Sequence, residues 1–187
     1  MRSLVFSTAM VATLLLASVA DASAPLSALV IKKADMPKGF VRVNAQTIQA
    51  PVSANWFPKA VDLRSRGYVV SYTAQFSDLG PHPKPHVVKG TLQEFADKYR
   101  DSSGAQWGYQ GRVSARYSQA KHISLAPVGD ESSAWHSILP EPPGVEIAIF
   151  FRQAGYVVEL HCGGTLAKPA TCLHYARTID GRMRKKG

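Results

Sequence analysis

Cysteine is nearly absent from this chain, at two residues in 187, and acidic side chains are scarce, 13 against 22 Lys and Arg. No zinc-finger spacing occurs, and no basic motif studded with aromatics, so nothing supports specific nucleic-acid recognition. No G-x-S-x-G elbow is found, which removes the usual scaffold of an α/β-hydrolase nucleophile. There are no internal repeats and no low-complexity tract. Beyond the N-terminal leader, no segment is apolar and long enough to span a bilayer. What remains is the composition of a folded globular chain, 45% hydrophobic and 19% charged, long enough for one core.

The leader reads "MRSLVFSTAMVATLLLASVADASAPLS". Arg2 is followed by an apolar run from Leu4 to Ala20 and then by small residues with A-x-A spacing, the order of a secretory signal peptide. Two frames compete, Ala20-Asp21-Ala22 and Ala22-Ser23-Ala24, and the second would put Pro25 directly after the cut. Cleavage is therefore expected after Ala22, giving a signal peptide at 1–22 and a single domain at 23–187, secreted or otherwise extracytoplasmic. The alternative is a retained anchor, although the run is interrupted by Ser7, Thr8 and Thr13 and is short beside the ~20 residues of a span. The leader holds one Arg and one Asp, so the domain keeps the net charge of +9. That charge suits an anionic cell-envelope surface, or serves solubility alone. A small ligand is the other class of partner expected, and no cofactor is implied.

Cys162 and Cys172 are expected to pair in an oxidising compartment. In "HCGGTLAKPATCLH", His161 and His174 flank them, and the four residues are types that hold zinc. Successive strand residues face opposite ways, however, so His161 and Cys162 would diverge at the end of a strand. Free thiols are the third alternative.

Hydrophobic periodicity gives the elements. Leu26, Leu29 and Val30 mark a first helix, stopped by Pro37 and Gly39. "FVRVNAQT" alternates as a strand, and "RGYVVSYTAQF" is a strand with Tyr68, Val70 and Tyr72 on one face. "TLQEFADKYRDSSG" has a capping box at Thr91 and Glu94 and an apolar stripe of Leu92, Phe95, Ala96 and Tyr99, which predicts a helix closed by Gly104. "GRVSARYSQ", from Arg112 to Gln119, is expected to be a strand. "VEIAIFF" and "GYVVELHC" form a hairpin across "RQAG". A last amphipathic helix starts at Pro169, with Leu173, Ala176, Ile179 and Met183 on its apolar face. The class is α+β: an antiparallel sheet with helices packed mainly on one face.

"VGDESSAWHS" gathers the residue types of a nucleophilic site, and a secreted hydrolase would use His136 with Ser132 or Asp130. On a strand, Ser132 and His136 would stand ~13 Å apart at ~3.3 Å per residue, beyond hydrogen-bond reach. Gly129, Asp130, Glu131 and Ser132 are better explained as a turn motif, with Asp130 bonding nearby backbone amides. His82 and His86 in "HPKPH" are read as a solvated proline-rich loop, and Glu141 as a loop charge. Trp56 and Trp107, both in predicted loops, are candidates to border a ligand groove.

Asp35, Pro37, Gly39 and Phe40, then Gly129 to Ser132, Arg152 with Gly155, and Ala176 to Arg182 together resemble a broad group of exported bacterial domains. The group is similar to the extracellular sensor domains of bacterial serine/threonine kinases and to lipoproteins of unknown function. The resemblance implies an exported, non-catalytic ligand-binding or sensor-like domain, and it brings no catalytic residues. The alternatives are a secreted hydrolase-type enzyme and a basic protein that binds anionic envelope components.

Overall fold

A computed structural model describes residues 24–48, 63–79, 88–116, 120–140 and 143–186. The leader, Trp56, His82, His86 and Glu141 lie outside these residues. The elements are α1 (Leu26–Leu29), a 3-10 turn (Lys33–Asp35), β1 (Phe40–Ile48), β2 (Tyr68–Asp78) and β3 (Gly90–Tyr99), followed by α2 (Ser102–Arg116). Then come β4 (Lys121–Ile123), β5 (Glu131–Pro140), β6 (Pro143–Gln153), β7 (Tyr156–Gly164) and α3 (Pro169–Lys186). The described strands form one antiparallel sheet in the order β1-β2-β3-β7-β6-β5-β4. This is the α+β class expected.

Alternation along the strands divides the core into two layers. Phe76, Leu92, Ile149, Phe151, Val158 and Leu160 point to one face, where α1 and α3 cover them. Tyr68, Tyr99, Ala148, Phe150 and Val157 belong to the other, beneath Ala105 and Tyr109 of α2. α1, the 3-10 turn and α3 thus share the face expected to carry the helices, and α2 lies alone on the opposite one. We call these the α3 face and the α2 face.

Residues 91 to 99 form a strand and not the expected helix. The apolar residues Leu92, Phe95, Ala96 and Tyr99 sit on a helical stripe, but burial alternates from Gly90 to Ala96 and Phe95 is only half-buried. The residues that decide between the periods are polar. Glu94 and Asp97 are both buried, one on each face of the strand. Between β2 and β7, ladder pairing on both sides outweighs the helix propensity of Leu, Gln, Glu, Ala and Lys. The capping box does not form, and the Glu94 carboxylate accepts the Ile31 N–H at 3.1 Å.

The helix begins instead at Ser102, beyond the end of β3. Asp101 caps α2, accepting from the Ser103 hydroxyl at 2.6 Å and the Gly104 N–H at 2.8 Å. α2 continues through Arg116, where a strand was expected from Arg112. Arg112 is drawn into the sheet by buried carboxylates, which an edge strand could not reach. Gly108 lets the helix settle onto Tyr99: a Cβ there would lie 2.3 Å from the Tyr99 hydroxyl. Two smaller differences concern faces. α1 ends at Leu29, and a bulge between Tyr68 and Val70 turns Tyr68 to the α2 face, away from Tyr72.

Cys162, on the α3 face of β7, is bonded to Cys172 in the first turns of α3, with Cα atoms 5.9 Å apart. Closing this short loop stabilises the domain by about 2–3 kcal/mol through loss of chain entropy in the unfolded state. Tyr175, Ala176, Ile179 and Met183 of α3 are buried against the sheet, while β2 and β3 are held by ladders that do not involve the bond. Reduction is therefore expected to speed amide exchange at Leu173 to Met183 while β2 and β3 stay protected. Hydrogen exchange with and without reductant checks this, and equal protection of α3 in both states would refute it.

Candidate functional site

The α2 face carries a chain of polar groups that crosses the sheet under the helix. Tyr68 donates to the Ser71 hydroxyl at 2.7 Å, and Ser71 donates to Asp97 on β3. Asp97 Oδ2 accepts from Arg112 twice, from Nε at 2.9 Å and Nη2 at 2.6 Å. The same guanidinium donates through Nη1 to Glu159 on β7. Glu159 Oε1 lies 2.7 Å from His161 Nε2, and His161 Nδ1 lies 3.0 Å from Glu146 on β6. Asp97, Arg112, Glu159 and His161 are all buried.

Burial alone would lower the basicity of His161. The hydrogen bonds and negative charges of Glu146 and Glu159 outweigh it and lift the pKa from its ordinary 6.5 to about 9. At neutral pH the ring is an imidazolium donating from both nitrogens. It has no lone pair to take a proton from a substrate or to ligate a metal. Arg112 is likewise held charged, by Asp97 first and then Glu159, against the pull of burial. The cluster is an internal brace, and it fixes the helix that borders the cavity described next.

That cavity, about 310 Å³, opens where the turn before β2, the end of β3 and the start of α2 meet. Its lining includes Ser65, Arg66, Arg100, Asp101, Ser103 and Trp107. The Arg66 guanidinium sits over the Trp107 ring, 5.5 Å from its centroid. Arg100 is fixed in place by its own N–H, which donates to the Gly67 carbonyl at 2.8 Å. Asp101 is engaged in capping α2; the Ser103 and Gly104 hydrogen bonds hold its carboxyl below the usual range. Two cations and an aromatic plane thus border one solvent-open space. A smaller cavity of about 100 Å³ lies on the α3 face, among His122, Ser124, Ser132, Ile149 and Leu173.

Of the candidates raised by sequence, Trp107 lines the larger cavity, and Trp56 lies outside the described residues. Gly129 has φ +67° and would place a Cβ 2.2 Å from the Arg152 carbonyl. Asp130 accepts from the Ala154 N–H at 2.7 Å, bracing a residue held at φ 50° in the β6–β7 turn. Glu131 pairs with Arg152 at 3.1 Å, and the Ser132 hydroxyl accepts from the Val128 N–H at 3.1 Å. The motif clasps the neighbouring hairpin turn, and its Asp and Ser are engaged with backbone. Ser132 and His136 stand four residues apart along β5. The possible zinc set does not converge: His161 faces α2, the cysteines are bonded on the opposite face, and His174 is exposed on α3.

Arg66, Arg112 and Glu159 were not singled out from sequence, and Asp97, Lys98 and Arg100 were read as a solvated helix face, whereas Asp97 is buried on β3. Glu159 did leave a signal, as a lone acid inside the apolar strand "GYVVELHC".

The α3 face has a polar centre of its own. Burial raises the pKa of Glu94 to about 8, against the Ile31 hydrogen bond. Its Oε1 has no hydrogen-bond partner among the described residues. Nearby, Arg182 donates to both oxygens of Asp35, at 2.7 and 2.8 Å, and to the Val30 carbonyl at 2.6 Å. Together these bonds tie the segment before β1 to the last turns of α3.

No protein-family model matches the sequence, and no curated protein does. Among solved structures, the chain is similar to the extracellular domain of PknH from Mycobacterium tuberculosis. That crystal structure matches with a TM-score of 0.57 over 85% of this chain and 94% of that one, at 11% identity. The two share a fold.

The brace is tested through pH. His161 has a folded pKa above its unfolded value, so its stabilisation is fully present below pH 6.5 and is lost as pH rises through about 9. Glu94 acts in the same direction between 4.5 and about 8. The difference between wild type and His161→Gln isolates the first group. It is expected to amount to up to ~3 kcal/mol at pH 6 and to vanish by pH 10 in urea titrations. Arg112→Met is expected to cost about 3–5 kcal/mol by leaving buried carboxylates unpaired.

Proposed function

We propose that the chain is an exported, non-catalytic ligand-binding domain with a sensor-like role, and that it takes a small anionic ligand in the cavity beside Trp107. The observation that carries this is the pairing of Arg66 and Arg100 with an aromatic face around about 310 Å³ of open space. Guanidinium groups bind carboxylate or phosphate through parallel N–H donors, and an indole face packs against a sugar or another flat apolar surface. An anionic sugar fits both.

Export is supported by the order of the leader and by a disulfide of the kind that persists in oxidising compartments. The shared fold with an extracellular domain agrees with it. A single domain at 23–187 follows cleavage after Ala22. The absence of catalysis is supported by His161, whose two nitrogens are both engaged, and by the spacing of Ser132 and His136 along one strand. The net charge of +9 adds affinity for anionic components of the envelope.

The test uses secreted protein, whose intact mass should begin at Ser23. Thermal unfolding is followed with glucuronate, with inorganic phosphate and with neutral glucose. The anions are expected to raise Tm by several degrees at concentrations well above Kd, glucose much less, and Arg66→Ala with Arg100→Ala to remove the shift. Equal shifts in wild type and the double variant would reject the cavity as the binding site.

A further inference from the structure

We infer that the outer surface of α3, together with the segment before β1, docks the domain on an anionic lipid bilayer. The inference rests on the proposal that the envelope partner is anionic, and it adds which face makes contact and with what. Exposed Arg177, Arg184, Lys185 and Lys186 lie on α3, and exposed Lys32, Lys33 and Lys38 lie on the segment before β1. Arg182 joins the two by its paired bonds to Asp35 and its bond to Val30, so the cations belong to one rigid surface.

Helix physics explains only part of this charge. Basic residues in the last turn of α3 complement its dipole, and Arg184 pairs with Asp180 at 3.0 Å. Neither effect calls for Lys32, Lys33 or Lys38, which lie outside α3. The acids of the patch, Asp35 and Asp180, are each engaged with an arginine.

The same surface is where the chain comes from its leader. α1 packs against α3, and the apolar run Leu4 to Ala20 ends four residues before Ala24. Each basic side chain near an anionic leaflet contributes about 1 kcal/mol, which is about fivefold in partitioning, and the effect is screened within a Debye length.

The experiment measures co-sedimentation of the oxidised domain with vesicles of 30% phosphatidylglycerol in phosphatidylcholine and with pure phosphatidylcholine. Two triple variants carry the same loss of charge. One is Lys33→Ser, Lys185→Ser and Lys186→Ser, on the patch. The other is Arg42→Ser, Lys89→Ser and Lys121→Ser, all exposed and outside both α3 and the segment before β1. Wild type is expected to bind the anionic vesicles at low salt, to release at moderate salt, and to ignore phosphatidylcholine. The patch variant should lose about a hundredfold in partitioning and the control variant only a few-fold. Equal losses would overturn the choice of face while leaving an anionic partner standing. No binding of wild type to anionic vesicles would overturn both. Circular dichroism of each variant confirms that it is folded.

Discussion

Asp97 and Glu159 lie buried on the α2 face of β3 and β7, and Arg112 is what allows them to stay there. An isolated buried carboxylate would cost several kcal/mol or take up a proton. Here the cost is met by one guanidinium that reaches both β3 and β7 from α2. The pairing constrains much else. Asp97 and Glu159 must share a face, which fixes the register of β3 against β7, since a slip of one residue would send one of them into the apolar layer beneath α3. α2 must approach closely enough for Arg112 to reach, which its glycines over Tyr99 permit. The start of α2 is then held beside the turn before β2, and the cavity at Trp107 is the space left between them.

The opposite face uses a similar device with a different balance. Arg182 also bridges separate parts of the chain, but its contact with Asp35 is partly exposed, at side-chain exposures of 26% and 20%. Ion pairs of that kind contribute little. Glu94, one strand away, is buried with only one of its oxygens satisfied. The segment before β1 is therefore fastened by weaker and more titratable contacts than α2 is. One face of the sheet is braced by charge, and the other is packed with hydrocarbon and fastened at its margin.

The hairpin of β6 and β7 and the terminal helix were legible in the sequence because their apolar pattern fits one period only. Phe150, Phe151, Val157 and Val158 are too closely spaced for a helical stripe bounded by turns, and Ala176, Ile179 and Met183 are too regular for a strand. β3 was not legible, because a strand buried on both faces by way of an acid shows neither alternation nor a continuous apolar run. Asp97 looks like a solvated helix residue until Arg112 is known to lie above it. The error at β3 then displaced α2, whose start is an aspartate cap that a helix ending at Gly104 had absorbed. The cavity was half legible. Trp107 stood out as a large aromatic in a predicted loop, although it lies in α2, while Arg66 and Arg100 are ordinary surface cations whose proximity depends on β2 and β3 being neighbours.

The strand order also sets a sequence of events. β3 pairs on one side with β2, its neighbour in the chain, and on the other with β7, which is made only after α2, β4, β5 and β6. Any chain that emerges from its N-terminus must wait with β3 as an open edge, its Asp97 without Glu159 beside it and its ladder half filled. Such edges are where β proteins pair with the wrong chain. The interval lasts until β7 pairs with β3, and the disulfide cannot shorten it, because Cys162 lies in β7 itself and Cys172 follows it in α3.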